Sequence, residues 1–133
     1  MSAPESNFRA WLAKAENDLL NIENNLSRAR VPWDTLCFHA QQAAEKLLKA
    51  FLVCHGVPPA RIHDLVALLA RCVELEGSLA QLEEDCRKLT YYATVSRYPS
   101  DLYEPSEKDG REMFAAAHRI RNRILGLLPP APP

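Results

Sequence analysis

Apolar residues in this chain return at three- and four-residue steps over long stretches, a periodicity that leaves little room for anything but α-helices. From about Asn7 to Arg28, Phe8, Trp11, Leu12, Ala15, Leu19, Ile22 and Leu26 share one helical face. Ser6 offers an N-cap, and Val31-Pro32 breaks the run. A second helix is predicted from about Trp33 to His55, with Ala40, Ala44, Leu47, Leu48 and Phe51 inward; Gly56 closes it and Pro58-Pro59 prevents its continuation. A third, shorter helix spans about Arg61 to Leu75, with Leu65, Leu68, Leu69 and Cys72 on one face. Gly77-Ser78 then ends it and caps a fourth, about Leu79 to Ser96, which turns Leu82, Cys86, Leu89 and either Tyr92 or Ala93 inward.

Arg97 to Pro105 reads as a loop with two prolines. Ser106-Glu107-Lys108-Asp109 has the form of a capping box, opening a fifth helix through Met113, Phe114, Ala117, Ile120, Ile124 and Leu127. No segment alternates with a period of two between turn signals; Tyr91 to Val95 comes nearest and has no partner strand. The expected fold is therefore all-α: an up-and-down antiparallel bundle of five helices, four long and one shorter, in a single domain over 1–128 with a Pro-rich tail at 129–133.

Composition narrows the function classes. Sixteen Lys and Arg against 17 Asp and Glu leave a net charge of −1, which excludes a strongly basic nucleic-acid binder as a description of the whole chain. No apolar run reaches the roughly 18 residues of a membrane span. Met1 to Asn7 is polar, unlike a signal peptide. Cys37, Cys54, Cys72 and Cys86 are spaced by 17, 18 and 14 residues, with no C-x-x-C pair to hold zinc. The expectation is a reduced, cytoplasmic chain without a metal, its cysteines serving as small apolar fillers.

Four polar features interrupt the apolar pattern. On the second helix, at about 100° per residue, Gln42, Glu45, Lys46 and Lys49 share about a quarter-turn, flanked by Gln41. The stripe reads either as a solvated face with a Glu45–Lys49 ion pair or as a groove presenting amide and ammonium donors to a phosphate or a partner. His63-Asp64-Leu65 opens the third helix; Asp64 suits a first turn, and His63 can face a cleft as a hydrogen-bonding group. Arg97 lies among Tyr91, Tyr92 and Tyr98, a grouping that can grip phosphate and stack on a base or simply snorkel across core aromatics. Finally, Val73 to Asp85 holds five acids and no Lys or Arg, whereas His118 to Arg123 holds three arginines and no acid. These stretches complement helix dipoles, or could pair across a two-fold interface.

Taken together, Phe38-His39-Ala40-Gln41-Gln42-Ala43-Ala44-Glu45-Lys46-Leu47-Leu48-Lys49-Ala50, His63-Asp64-Leu65, Tyr91-Tyr92 and Arg97-Tyr98-Pro99 resemble the HEPN family, the higher-eukaryote and prokaryote nucleotide-binding domain. The resemblance covers about Phe8 to Leu127, and Trp11, Ala15 and Asp18-Leu19 fit it. It implies a helical bundle similar to the substrate-binding helical domain of kanamycin nucleotidyltransferase. A homodimer is implied too, and a separate minimal nucleotidyltransferase as partner in a toxin–antitoxin-like pair. The transferase activity itself needs a Gly-Ser on a strand followed by an Asp-x-Asp pair, whereas Gly77-Ser78 adjoins a helix with no such pair after it.

Many members resemble metal-independent ribonucleases, with an Arg followed after four to six residues by a His. After Arg97 the matching places hold Leu102, Tyr103 and Glu104. A lone Arg stabilises phosphate charge without moving a proton. Arg111 and His118 meet the spacing further along, on the fifth helix. The resemblance thus implies a non-catalytic module that binds a nucleotide such as ATP, or a partner, through Gln42, Glu45, Lys49, His63, Tyr92, Arg97 and Tyr98. A ribonuclease using Arg111 and His118 on RNA, and a structural dimerisation module, are the alternatives.

Overall fold

A computed structural model describes residues 7–58, 61–96 and 104–130, the side chains of 95 and 96 excepted. Ser6, Pro59, Arg97, Tyr98, Leu102, Tyr103 and most of the tail lie outside them. The described residues hold five α-helices and no strand: α1 (Phe8–Leu26), α2 (Trp33–Cys54), α3 (Leu65–Leu75), α4 (Glu83–Ser96) and α5 (Glu107–Leu127). A 3-10 helix, Gly77–Leu82, separates α3 from α4.

Helix ends follow local chemistry, and three of them differ from expectation. Asn7, not Ser6, caps α1, its side chain accepting the Arg9 N–H. Asp64 stands at the N-cap of α3 rather than within its first turn; its carboxylate accepts the amides of Val66 at 2.9 Å and Ala67 at 3.4 Å, so the helix begins four residues later than Arg61. Gly77-Ser78 does not cap α4. Glu76 accepts the Ser78 amide and opens the 3-10 turn, which spaces Leu79 and Leu82 so that both are buried. Other ends match their signals. Gly56 has φ +79°, and Gly56 and Val57 donate back to Val53 and Leu52 in a Schellman arrangement. Ser106 and Asp109 close a complete capping box.

Helix α2 is the central element, in contact with α1, α3, α4 and α5. That position explains its small apolar residues: Ala40, Ala43 and Ala44 are fully buried and let neighbouring helices approach, while Leu47, Leu48 and Phe51 fill the layer beyond. Met113, Ala116, Ala117, Ile120 and Ile124 supply the α5 face, and Ala93, rather than half-buried Tyr92, completes the buried face of α4. Cross-helix contacts set directions. Asp18 meets His39 and Lys46 while Trp11 meets Lys49, so α1 and α2 are antiparallel; Asp85 with Arg119 and Tyr92 with Asp109 make α4 and α5 antiparallel.

The amino end of α2 presses on α5 at Gly110, where an added Cβ would overlap the Trp33 ring. Gly110→Ala is expected to lower stability by about 1–3 kcal/mol, the usual range for overpacking. That outweighs the roughly 1 kcal/mol of helix propensity gained. The check is a lower urea midpoint with an unchanged slope.

Candidate functional site

The polar stripe of α2 is not a solvated face. Glu45 and Lys49 are each 5% exposed. Lys49 Nζ donates to Glu45 Oε2 at 3.2 Å and stands 5.5 Å from the centroid of the Trp11 ring. His63 Nδ1 lies 3.2 and 3.3 Å from the two oxygens of the same carboxylate. Gln41, also buried, donates Nε2 to the His63 backbone carbonyl at 3.2 Å. Glu45 and Gln41 together thus fasten the segment ahead of α3 onto α2, and Asp64 in the same segment caps α3. Sequence, local capping and tertiary docking meet at these residues.

Beside this fastening lies a half-open cleft of about 460 Å³, within the range of small-molecule sites. Gln41, Gln42 and Glu45 of α2 form one wall; His63 and Asp64 form the rim; Thr90, Ala93 and Thr94 of α4 form the other wall. Neither Lys nor Arg is among these lining residues. Three buried side-chain polar atoms have no hydrogen-bond partner among the described residues: Gln41 Oε1, Thr90 Oγ1 and Arg123 Nε. Two of the three therefore belong to side chains of this one cleft. Buried polar atoms in folded proteins are otherwise almost always paired.

The structure brings together Gln42, Glu45, Lys49 and His63 of the expected cluster, with Lys49 engaged behind Glu45 rather than lining the cleft. It sets Tyr92 apart. The Tyr92 hydroxyl bonds Asp109 at 3.2 Å, and its ring lines a second cleft with Lys88, Lys108 and Arg111, between α4 and α5. Arg97 and Tyr98 lie outside the described residues.

Arg111 and His118 do not share a cleft. Arg111 Nε donates to Glu107 at 3.0 Å and its guanidinium lies 5.6 Å from the Trp33 ring, whereas His118 packs edge-on against Phe114 and faces a third cleft with Glu16 and Arg121. The arginines of the basic stretch are likewise engaged within the chain. Arg119 grips buried Asp85 with two hydrogen bonds, at 2.8 and 2.9 Å, Arg121 donates to Glu16, and Arg123 donates to Ser78. The hydrogen bond to Asp85 also raises the Arg119 pKa above its ordinary value. The expected pairing of acidic and basic stretches between subunits therefore has an intrachain counterpart for Asp85.

Sequence reasoning missed one polar centre. Asp18, 8% exposed, accepts Lys46 Nζ at 2.6 Å and lies 2.9 Å from His39 Nδ1. The signal was present: Asp18 occupies the same helical face as Ala15, Leu19 and Ile22, where an acid needs a partner across the helix pair.

No helix among the described residues is long and apolar enough to cross a membrane, and no group of metal-ligating side chains is found among them. No functionally curated protein matches the chain. The crystal structure of an archaeal HEPN homologue superposes with a TM-score of 0.71 at 29% identity, covering 91% of this chain and 97% of that one. The HEPN domain model matches residues 8–127, nearly the whole bundle just described. The chain belongs to the HEPN family.

Proposed function

We propose that this HEPN domain is a non-catalytic binding module that takes a nucleotide into the cleft between α2 and α4. The observation that carries the reading is a cleft of small-molecule size whose walls gather the polar side chains of Gln41, Gln42, Glu45, His63, Thr90 and Thr94. A carboxylate-bearing wall with no Lys or Arg among its described residues disfavours phosphate, so the nucleoside end enters and the phosphates stay outward. Arg97, which follows α4 in the chain, is assigned to the phosphates as a rigid guanidinium fork. Its neighbour Tyr98 offers an aromatic face, and Tyr92 serves the neighbouring α4–α5 cleft. The alternative, in which Arg111 and His118 of two subunits would meet, draws no observation in its favour from one chain, where the two side chains line different clefts. A two-fold homodimer and a separate minimal nucleotidyltransferase as partner rest on family membership alone.

Calorimetric titration of the chain with ATP and with adenosine, at low and high salt, tests this reading. Both ligands are expected to bind with modest affinity. Arg97→Ala is expected to cost ATP about 1.5–3 kcal/mol, the range for a hydrogen bond to a charged group, and to leave adenosine nearly unchanged. Only the ATP advantage should shrink with salt. Absence of heat with either ligand at millimolar concentration contradicts the proposal.

A further inference from the structure

We infer that the groove between α3 and the 3-10 helix docks a basic amphipathic helix of a partner protein. The groove shares no lining residue with the α2–α4 cleft, so the nucleotide reading does not bear on it. The composition of α3 is the first sign: its 11 residues are all apolar except Arg71 and Glu74. A helix that is apolar nearly all round belongs in a buried position. Here Leu65, Leu68, Leu69 and Cys72 enter the core. Val66, Leu69, Ala70 and Val73 repeat at i, i+3, i+4 and i+7 and make a second apolar stripe beside that face. With Ala80 of the 3-10 helix and Glu83 of α4 they line a groove of about 250 Å³. Ala70 and Ala80 are exposed, and Val66 and Val73 are only half-buried.

Size and charge select the occupant. The volume falls below the roughly 300–1,000 Å³ of small-molecule sites, so the groove suits side-chain anchors rather than a whole ligand. An apolar groove along a helix accepts the i, i+3, i+4 anchors of a second helix. The charged residue among those lining it is an acid, Glu83. It belongs to the stretch from Val73 to Asp85 that holds no Lys or Arg. Asp85 is buried and taken by Arg119, but Glu74, Glu83 and Glu84 are exposed. Arg87 donates to Glu83 at 2.7 Å, Arg123 donates to Ser78, and Arg71 stands about 150° round α3 from the apolar stripe. Lys or Arg beside the anchors of a partner helix complements this acidic flank, whereas nucleic acid and anionic lipid meet like charge there.

The test uses three labelled peptides and fluorescence anisotropy with the whole chain. The first repeats Leu at i, i+3, i+4 and i+7 on a helix otherwise of Lys and Ala; the second scrambles the same residues; the third replaces each Lys by Glu. The first is expected to bind about tenfold or more tighter than either of the others, and to weaken with salt. Ala70→Lys and Ala80→Lys, at exposed positions of the groove, should each lower its affinity about tenfold or more; either decides alone if the other does not fold. Equal binding of the scrambled or the acidic peptide overturns the inference. So do affinities unmoved by both variants, and absence of binding at millimolar peptide. Sedimentation that finds a wild-type dimer made monomeric by these variants also overturns it, because a second copy then fills the groove.

Discussion

Glu45→Ala is expected to remove about 3–5 kcal/mol of unfolding free energy, the cost of breaking a buried ion pair by deleting one partner. The side chains of Glu45 and Lys49 are each only 6% exposed, and the carboxylate is the acceptor for both the Lys49 ammonium and the His63 ring. Without it the ammonium stays buried against Trp11 with no counter-charge, and the segment leading into α3 loses its ring contact with α2. Helix propensity cannot account for the effect, since alanine is the best helix former. Domains typically hold about 5–15 kcal/mol in total, so the variant should approach the unfolding threshold. The double replacement Glu45→Leu with Lys49→Met, which removes both charges and keeps apolar volume, should return most of the loss. Urea unfolding of the three proteins reads both effects. A Glu45→Ala variant within 0.5 kcal/mol of wild type would mean that Lys49 finds water and that the pair is not part of the fastening.

The second large effect is alkaline. Burial pushes the thiols of Cys37, Cys72 and Cys86 from 9.0 up to about 12, with nearby carboxylates adding to the shift at Cys37 and Cys86. All three side chains belong to residues with 0% exposure. In the unfolded chain they ionise around pH 9, whereas the folded chain holds its protons to about 12. Between these values the unfolded state binds fewer protons, so stability falls as pH rises. Each thiol contributes a slope of up to about 1.4 kcal/mol per pH unit, and three together about 4. Well below pH 9 the thiols are protonated in both states and the effect vanishes. Thermal unfolding from pH 8 to 11 should show a steep decline that begins near pH 9. Cys72→Ala, although less stable throughout, should decline with about two-thirds of the thiol slope. An identical slope in that variant would rule the thiols out as the cause.

How much of this was legible in the sequence depends on what each signal reports. The helices were legible because apolar spacing and end signals agreed, as at Gly56 and at the Ser106–Asp109 box. The 3-10 segment was not, because Leu79 and Leu82 stand three apart, a spacing that an α-helix shares. The α2 stripe was legible as a stripe but not as a buried one. Periodicity gives the angle between side chains on one helix, and the neighbour facing that angle comes only from tertiary packing. Lys49 is buried because Trp11 and Glu45 cover it, and Lys46 is held because Asp18 lies opposite. Gln41 was read as a flank of the stripe, yet its position beside the His63 carbonyl makes it the side chain with a buried, unpartnered acceptor. The family resemblance groups Tyr92 with the cleft residues, but on α4 it turns towards Asp109 and the α5 side.

The most direct test of the account is where a nucleoside binds. Adenosine titrated into uniformly 15N-labelled protein should shift the backbone amides of Gln41, Gln42, His63, Asp64, Thr90 and Thr94 together, since these residues line the α2–α4 cleft. The amides around Glu16, His118 and Arg121, which line the cleft on the α1–α5 side, should stay in place. Shifts gathered on that second set, or an unchanged spectrum at millimolar adenosine, would contradict it.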